Sequence, residues 1–255
     1  MLPARADRNV LLTALRARKL DQTLTANLSV PDPHDEQAIG STGLPLLDAR
    51  LGGGLPRGHL SEIVGPRSSG RTSLLLHVIA AATARGELVA LVDALDMLDV
   101  ASAEAAGVDF ARLLWIRGRV VTNPGFCRDL NQRAMEQAIK ALGLVLQAGN
   151  FGLVILDVGD APHDAVRRLP FTTWLRLQRM VEGSQTMCVL AGNEPMSRSS
   201  AGLSISLQPS SAGHAGRFGG PLFDGLDLEA RVARARVHGV DSAALPLSTR
   251  ASRHV

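Results

Sequence analysis

The stretch GPRSSGRTS, residues 65–73, has the spacing of a phosphate-binding loop. In loops of the form G-x-x-x-x-G-K-[ST], backbone N–H groups surround the phosphates, a lysine neutralises them and a hydroxyl holds Mg²⁺. Arginine replaces that lysine here, so the loop keeps its positive charge but must fit a wider, planar group. We expect phosphate binding to survive this change more readily than catalytic geometry. The candidate nucleotide contacts of this degenerate loop are Gly65, Ser68, Ser69, Gly70, Arg71, Thr72 and Ser73.

Composition bounds the class of protein. The chain has 255 residues, of which 45% are hydrophobic, enough for a large core. Its 27 basic and 24 acidic residues give a net charge of +3, which neither requires nor excludes a nucleic-acid partner. Cys127 and Cys188 lack the spacing of a metal site or a disulfide framework. There is no long apolar run and no secretory signal pattern, so we expect a cytoplasmic protein with no membrane partner and no bound metal.

Short apolar runs alternate with helical patterns along most of the chain. This alternation predicts a parallel sheet with helical crossovers, and the apolar runs are of the kind found in strands buried on both faces. The apolar runs predicted as strands are Leu88–Asp93, Leu113–Ile116, Leu153–Val158 and Met187–Leu190. Leu60–Val64 is predicted as the strand that leads into the phosphate loop, and Leu203–Leu207 as one short strand in a segment rich in serine and glycine. The predicted helices are Thr72–Arg85, Leu98–Ala106, Asn123–Gln147 and Phe171–Val181.

The two ends of the chain differ from this core. Residues 1–40 predict a helix with an apolar stripe of Val10, Leu11 and Leu15, followed by a polar linker rich in proline and glycine. Residues 41–240 form the predicted core, in which Leu226–Val237 alternates apolar and charged residues as an edge or antiparallel strand does. Residues 241–255 are predicted to be a tail.

Beyond the loop, residues 41–118 resemble the N-terminal half of the ATPase core of the bacterial recombinase RecA. The run LVILDV, which contains Asp157, is similar to the Walker B strand of that family, whose aspartate holds the metal ion through water. This resemblance implies a RecA-like α/β core with a mostly parallel central sheet flanked by helices. A short N-terminal helix and antiparallel C-terminal strands complete the expected fold.

Several positions depart from the family pattern. RecA-type recombinases have a glutamate soon after the second core strand that activates the attacking water, and Leu95 takes that place here, with Asp96 next to it. A leucine can neither orient nor deprotonate water. Ser102 falls where an aromatic residue stacks on adenine in the family, and the chain contains no tyrosine. The residue that senses the γ-phosphate falls at Gly192 or Asn193.

The two DNA-binding loops of the family are expected in residues 160–170 and 194–201, both shortened. Arginines in these segments and on the predicted C-terminal strand are candidate DNA contacts, because phosphate contacts need charge rather than a sequence code. A solvated strand face is the alternative for the C-terminal set. The candidate arginines are Arg167, Arg168, Arg198, Arg231, Arg234 and Arg236.

The chain combines a RecA-like core with an active site that lacks several of the family's functional residues. In this it resembles the ImuA group of RecA relatives, which act in bacterial DNA-damage tolerance. This resemblance implies a non-catalytic accessory protein in SOS-induced translesion synthesis, with an ImuB-like protein, an error-prone C-family polymerase and RecA as partners. No cofactor is then required, and binding of ATP and Mg²⁺ stays open. One alternative is a divergent DNA-dependent ATPase or recombinase whose base is Asp93, Asp96 or Asp99, and another is a plain DNA-binding or regulatory module.

Isolated histidines and tryptophans are expected to be structural. His59, His77 and His163 have no metal-ligand spacing, so we expect hydrogen-bonded or surface side chains. Trp115 and Trp174 lie at predicted strand and helix positions and are expected to be core anchors.

Overall fold

The elements of the fold are known for residues 39–119, 128–197, 202–210, 225–235 and 243–250, which the computed structural model describes. A two-stranded pair, β1 (Ile39–Gly40) and β2 (Leu55–Pro56), precedes the main sheet. The main strands are β3 (Leu60–Val64), β4 (Val89–Asp93), β5 (Leu113–Arg117), β6 (Leu153–Asp157), β7 (Met187–Gly192), β8 (Leu203–Pro209), β9 (Gly225–Ala235) and β10 (Leu245–Arg250). The helices are α1 (Pro45–Leu51), α2 (Arg71–Ala84), α3 (Val100–Ala105), α4 (Arg128–Ala148), α5 (His163–Arg167) and α6 (Phe171–Val181).

The main sheet has eight strands in the order β10-β9-β8-β3-β7-β6-β4-β5. The pairs from β8 to β5 are parallel, whereas β9 runs antiparallel to both β8 and β10. The predicted fold class is therefore confirmed: an α/β core with a mostly parallel central sheet and antiparallel C-terminal strands.

Side chains of the central strands pack on both faces of the sheet. In β4, Val89 and Leu91 join one hydrophobic cluster, while Ala90 and Val92 join the other. All five residues of β4 are buried, as the uninterrupted apolar run predicts. The first cluster packs under α2, and the second packs under α4 and α6, where Trp174 is a core residue as expected.

Strand β5 is less buried than the apolar run Leu113–Ile116 predicts. It lies at the end of the sheet and pairs with β4 alone among the described strands, so Leu114 is 46% exposed. Trp115 is half-buried and donates from Nε1 to Asp93 Oδ2 at 3.2 Å. The prediction of burial on both faces was wrong for β5 because an apolar run does not reveal a strand's place in the sheet.

The C-terminal strands extend the sheet. In β9, Leu228, Ala230 and Val232 are buried and Arg231 is exposed, which is the alternation predicted for a half-exposed antiparallel strand. Strand β10 lies inside the segment predicted to be a tail, so that part of the prediction is corrected. Backbone pairing with β9 from Leu245 to Arg250 forms this strand, and such pairing leaves little trace in a run of mixed side chains.

Other predicted features lie outside the described residues, namely the N-terminal helix, most of the linker that follows it, and Cys127. Cys188 is buried in β7, and its burial raises the pKa of the thiol to about 12. No helix in the described part of the chain combines the length and apolarity needed to cross a membrane.

Two leucines on α4 test the packing of the second cluster. Leu142 is fully buried and Leu144 is 61% exposed. We expect Leu142→Ala to lower the free energy of unfolding by about 3 kcal/mol, through lost burial and a residual cavity. Leu144→Ala, on the same helix, is the control and should change it by less than about 0.5 kcal/mol. Urea denaturation measures both, and equal effects would contradict the assigned packing.

Candidate functional site

The carboxyl ends of four parallel strands bring the candidate residues together. Strand pairing sets Asp93 of β4 beside Asp157 of β6, and Asp157 beside Ala191 of β7. Val64, at the end of β3, pairs with Gly192. The phosphate loop follows Val64 directly, so it starts at the edge of the sheet where α/β proteins bind ligands.

The backbone of the loop explains its glycines. A side chain on Gly65 would place its Cβ 2.4 Å from Ser69 Oγ and 2.6 Å from the Leu207 carbonyl oxygen, too close for any other residue. Gly70 precedes α2 with a φ of 81°, a left-handed conformation that glycine adopts at little cost. Ser68 adopts a similar φ of 59° without being glycine. The loop thus has the tight, strained course expected of a phosphate cradle.

The guanidinium of Arg71 is hydrogen-bonded to acceptors of the protein itself. Its Nη1 donates to the Gly65 carbonyl oxygen at 2.7 Å and to Asn193 Oδ1 at 2.6 Å. Its Nη2 lies 3.4 Å from Asp160 Oδ1, and the residue is only 8% exposed. The group that replaces the loop lysine therefore points to protein acceptors in the loop itself, just after β7 and after β6.

Asp160 also forms an ion pair with a second arginine, Arg67. Arg67 Nε donates to Asp160 Oδ2, while Arg71 holds the other oxygen. Burial alone would raise the pKa of the Asp160 carboxyl, but the hydrogen bonds and charges of Arg67 and Arg71 outweigh it and hold that pKa below its ordinary value. Asp160 is therefore a carboxylate at neutral pH, placed between the two arginines of the loop.

Asp157 is the Walker B-like aspartate, and its pKa is raised to about 6. Desolvation is the main cause, and the charges of Asp93 and Asp160 add to it. A hydrogen bond from the Gly159 N–H at 2.7 Å and the charge of Arg71 act in the opposite direction. The group is still mostly ionised at neutral pH.

Leu95 lies in the core rather than in the site. It is 4% exposed and belongs to the hydrophobic cluster under α4 and α6. Asp93, just before it, accepts hydrogen bonds from the Met97 and Leu98 N–H groups at 2.9 Å. This carboxylate shapes the turn that turns Leu95 inwards.

The other carboxylates near Leu95 also have structural partners. Asp96 binds both nitrogens of the Arg117 fork at 2.7 and 2.8 Å, and this hydrogen bonding lowers its pKa. Asp99 caps α3, and the hydrogen bond from the Ser102 hydroxyl is the main cause of its lowered pKa. Ser102 is exposed on α3 and offers no flat surface for a base.

Asn193 and Glu62 are two polar residues outside the loop whose hydrogen bonds the structure reveals. Between the two positions left open for a phosphate sensor, Asn193 contacts the loop through Arg71, whereas Gly192 ends β7. Glu62 of β3, which the sequence reasoning missed, is 1% exposed and accepts from the Met196 and Ser197 N–H groups at 2.7 Å and from Ser204 Oγ at 2.9 Å. A charge inside a fully buried strand was the available signal, because such a group must be paired.

The candidate DNA contacts are scattered. Arg167 and Arg168 are exposed at the end of α5, a short helix in the segment expected to be the first loop. Arg231 is exposed and pairs with Glu229 at 3.2 Å. Arg198, Arg236 and the side chain of Arg234 lie outside the described residues. His59 is hydrogen-bonded to the Arg57 carbonyl oxygen, and His163 faces Glu194.

A small cavity of about 100 Å³ opens beside the loop. Its polar lining comes from Arg71, Thr72, Asp93, Asp157 and Asp160, and the rest from apolar residues of α2 and β4 together with Met97, Leu98 and Gly159. Ligand pockets usually measure roughly 300–1,000 Å³, so this one is too small to enclose a nucleotide. No three His, Cys, Asp or Glu side chains of the described residues are arranged to hold a metal ion.

A nucleoside triphosphate with Mg²⁺ fits this site poorly. The loop backbone, Thr72 and Asp157 suit such a ligand in kind and position. Against it, Arg71 already donates to protein oxygens, and the Asp160 carboxylate adds negative charge beside the loop. Leu95, at the position where the family resemblance implies a water-activating group, is buried.

Comparison with known proteins gives a consistent result. The RecA N-terminal domain matches residues 25–162, more than half of the chain. The chain is 40% identical to Protein RecA of Desulfotalea psychrophila over 118 residues, which is 46% of this chain and 29% of that protein. It is 34% identical to Protein RecA of Chlorobium chlorochromatii over 168 residues, 60% of this chain and 43% of that one.

A third relative, Protein RecA of Nitratidesulfovibrio vulgaris, is 36% identical over 157 residues, which cover 61% of this chain and 40% of that protein. The matched part therefore spans less than half the length of these relatives.

The raised pKa of Asp157 predicts a pH-dependent stability. A group whose pKa rises from 3.8 to about 6 on folding takes up a proton in the native state, so its contribution to stability is lost as pH rises through 6. Relative to Asp157→Asn, which can still accept from Gly159, the wild type should gain about 1 kcal/mol between about pH 7.5 and pH 5. Urea denaturation at the two pH values measures this, and parallel profiles for the two proteins would refute it.

Proposed function

Because the chain belongs to the family of the RecA N-terminal domain, we propose that it is a non-catalytic, RecA-like accessory protein of SOS-induced translesion synthesis, similar to ImuA. In this proposal the α/β core serves as a docking platform for an ImuB-like protein, an error-prone C-family polymerase or RecA. No nucleotide cofactor is required for that role.

The burial of Leu95 is the observation that carries the proposal. Hydrolysis needs a group that orients or deprotonates the attacking water, and the site for it in the family is filled here by an apolar side chain inside the core. A change of rotamer cannot supply the missing group. In this proposal the chain keeps the fold but lacks a general base for hydrolysis, and the fold by itself does not determine function.

The alternative carboxylates also favour a non-catalytic role. Asp93 accepts three hydrogen bonds, Asp96 is paired with Arg117, and Asp99 caps a helix. The lowered pKa values of Asp96 and Asp99 make them weaker bases. Recruiting any of them would cost the structural contacts that each one makes.

A divergent DNA-dependent ATPase is the second candidate. Two observations favour it. The loop keeps the glycine backbone of a phosphate-binding loop, and Asp157 has a pKa of about 6, a kind of perturbation found at functional sites. Turnover separates the two candidates, because docking requires none.

We expect the purified chain to hydrolyse ATP no faster than buffer, with or without single-stranded DNA. Arg71→Lys alone should remain inactive, because the water-activating group is still missing. The same organism's RecA serves as the positive control in the assay. DNA-stimulated turnover of about 0.1 per second or more would refute the non-catalytic role, provided that Asp157→Asn abolishes it and so locates it at this site.

The N-terminal segment is the proposed contact with a partner. Its Val10, Leu11 and Leu15 stripe and the polar linker have the layout of a docking arm, although both lie largely outside the described residues. Burial of three such side chains contributes roughly 1.5–3 kcal/mol each before ordering costs. We infer that this arm, or the core surface, binds another protein.

A pull-down with the same organism's ImuB-like protein and RecA tests the docking role. The full chain should retain at least one of them at about micromolar concentration, and deletion of residues 1–38 should weaken retention about tenfold or more. Retention by neither protein would refute the docking role. Equal retention after the deletion would assign the contact to the core instead of the arm.

A further inference from the structure

The positive centre of the phosphate loop already holds a negative group. Arg67 and Arg71 are the two cations of the loop, and both donate to Asp160, one to each carboxylate oxygen. Asp160 lies three residues beyond the end of β6, at the sheet edge where the loop begins, and lines the same small cavity as Thr72. The loop and its acidic partner are 89 residues apart in sequence, measured from Arg71.

The Asp160 carboxylate accepts hydrogen bonds from the arginine donors that a bound anion would use. Arg67 and Arg71 each offer Asp160 one nitrogen, and a guanidinium that donates to a carboxylate can also donate to a phosphate, so the two anions compete for the same donors. A bound triphosphate would also meet the Asp160 charge directly, together with those of Asp93 and Asp157. The Arg71 and Asp160 side chains are 9% and 20% exposed, so solvent screens this repulsion less than at the surface, whereas Arg67 is 78% exposed and largely solvated.

We propose that Asp160 is a built-in competitor of nucleotide phosphates, which occupies the loop arginines and keeps the phosphate loop closed to external anions. The effect of the competitor is on binding, not on hydrolysis. It is independent of partner docking, so failure of the docking role leaves it unaffected, and its own failure leaves the docking role unaffected.

Two buried polar atoms show that the loop retains unused donors. Arg71 Nε and Ser69 Oγ have no hydrogen-bond partner among the described residues. Both residues are buried, at 8% and 1% exposure, so these atoms are shielded from solvent as well. Buried donors without a partner are costly and rare. A carboxylate with two oxygens leaves them unsatisfied, whereas a larger anion has more acceptors to offer. The loop is therefore expected to bind phosphates once Asp160 no longer competes.

The test uses inorganic triphosphate as the probe and the full-length chain as the receptor. Isothermal titration compares the wild type with Asp160→Asn, which removes the charge and keeps the shape. Glu182→Gln is the matched control, because Glu182 is an exposed carboxylate that precedes β7 at the opposite edge of the sheet. Asp160→Ser is a second variant in case the first does not fold.

We expect the wild type and the control to bind triphosphate with a Kd above about 1 mM, and Asp160→Asn to bind at least about tenfold more tightly. Triphosphate should likewise raise the Tm of the Asp160 variant and leave that of the wild type unchanged. Tight binding by the wild type overturns the proposal, because the loop would then be open. Absence of binding by both Asp160 variants also overturns it, because another feature would then exclude the anion.

Discussion

The register of four parallel strands is the constraint on which the site depends. It sets Asp93, Asp157 and the end of β7 side by side and places the phosphate loop at the same edge. A slip of one residue in any pair would move every side chain of a strand to the opposite face and bury polar groups in an apolar cluster. The energy that holds this register comes from packing on both faces of the sheet, so the core and the site are maintained by the same interactions.

The fold was more predictable than the site. Apolar runs such as the first four residues of β6, Leu153 to Leu156, reveal buried parallel strands, because no polar residue interrupts them. They do not reveal order within the sheet, which is why the exposure of β5 was missed, and β10 was missed because backbone pairing formed it. Motif spacing identified the loop and Asp157. Asp160 and Glu62 could not be assigned roles, because their partners lie roughly 90 to 140 residues away and meet them only after the crossovers form.

The positive charge of the phosphate loop is balanced by a side chain of the protein. In a nucleotide-binding loop the positive charge is balanced by a ligand, whereas here Arg67 and Arg71 are balanced by Asp160 within the same chain. If Asp160 excludes nucleotide phosphates as proposed, the conformation of the loop does not depend on nucleotide concentration. Such a loop suits a surface that must present one shape to a partner, and this fits a platform better than a motor.

The buried Cys188 allows the integrity of this scaffold to be followed over time. It lies in β7, with β3 and the phosphate loop on one side and β6 and Asp157 on the other. Its thiol has no access to solvent in the native state, and its raised pKa leaves almost no reactive thiolate. The Cys188 side chain belongs to the hydrophobic cluster under α4 and α6, so alkylation of its sulfur requires these helices to move away from the sheet. The labelling rate of Cys188 therefore reports how often this helix layer opens.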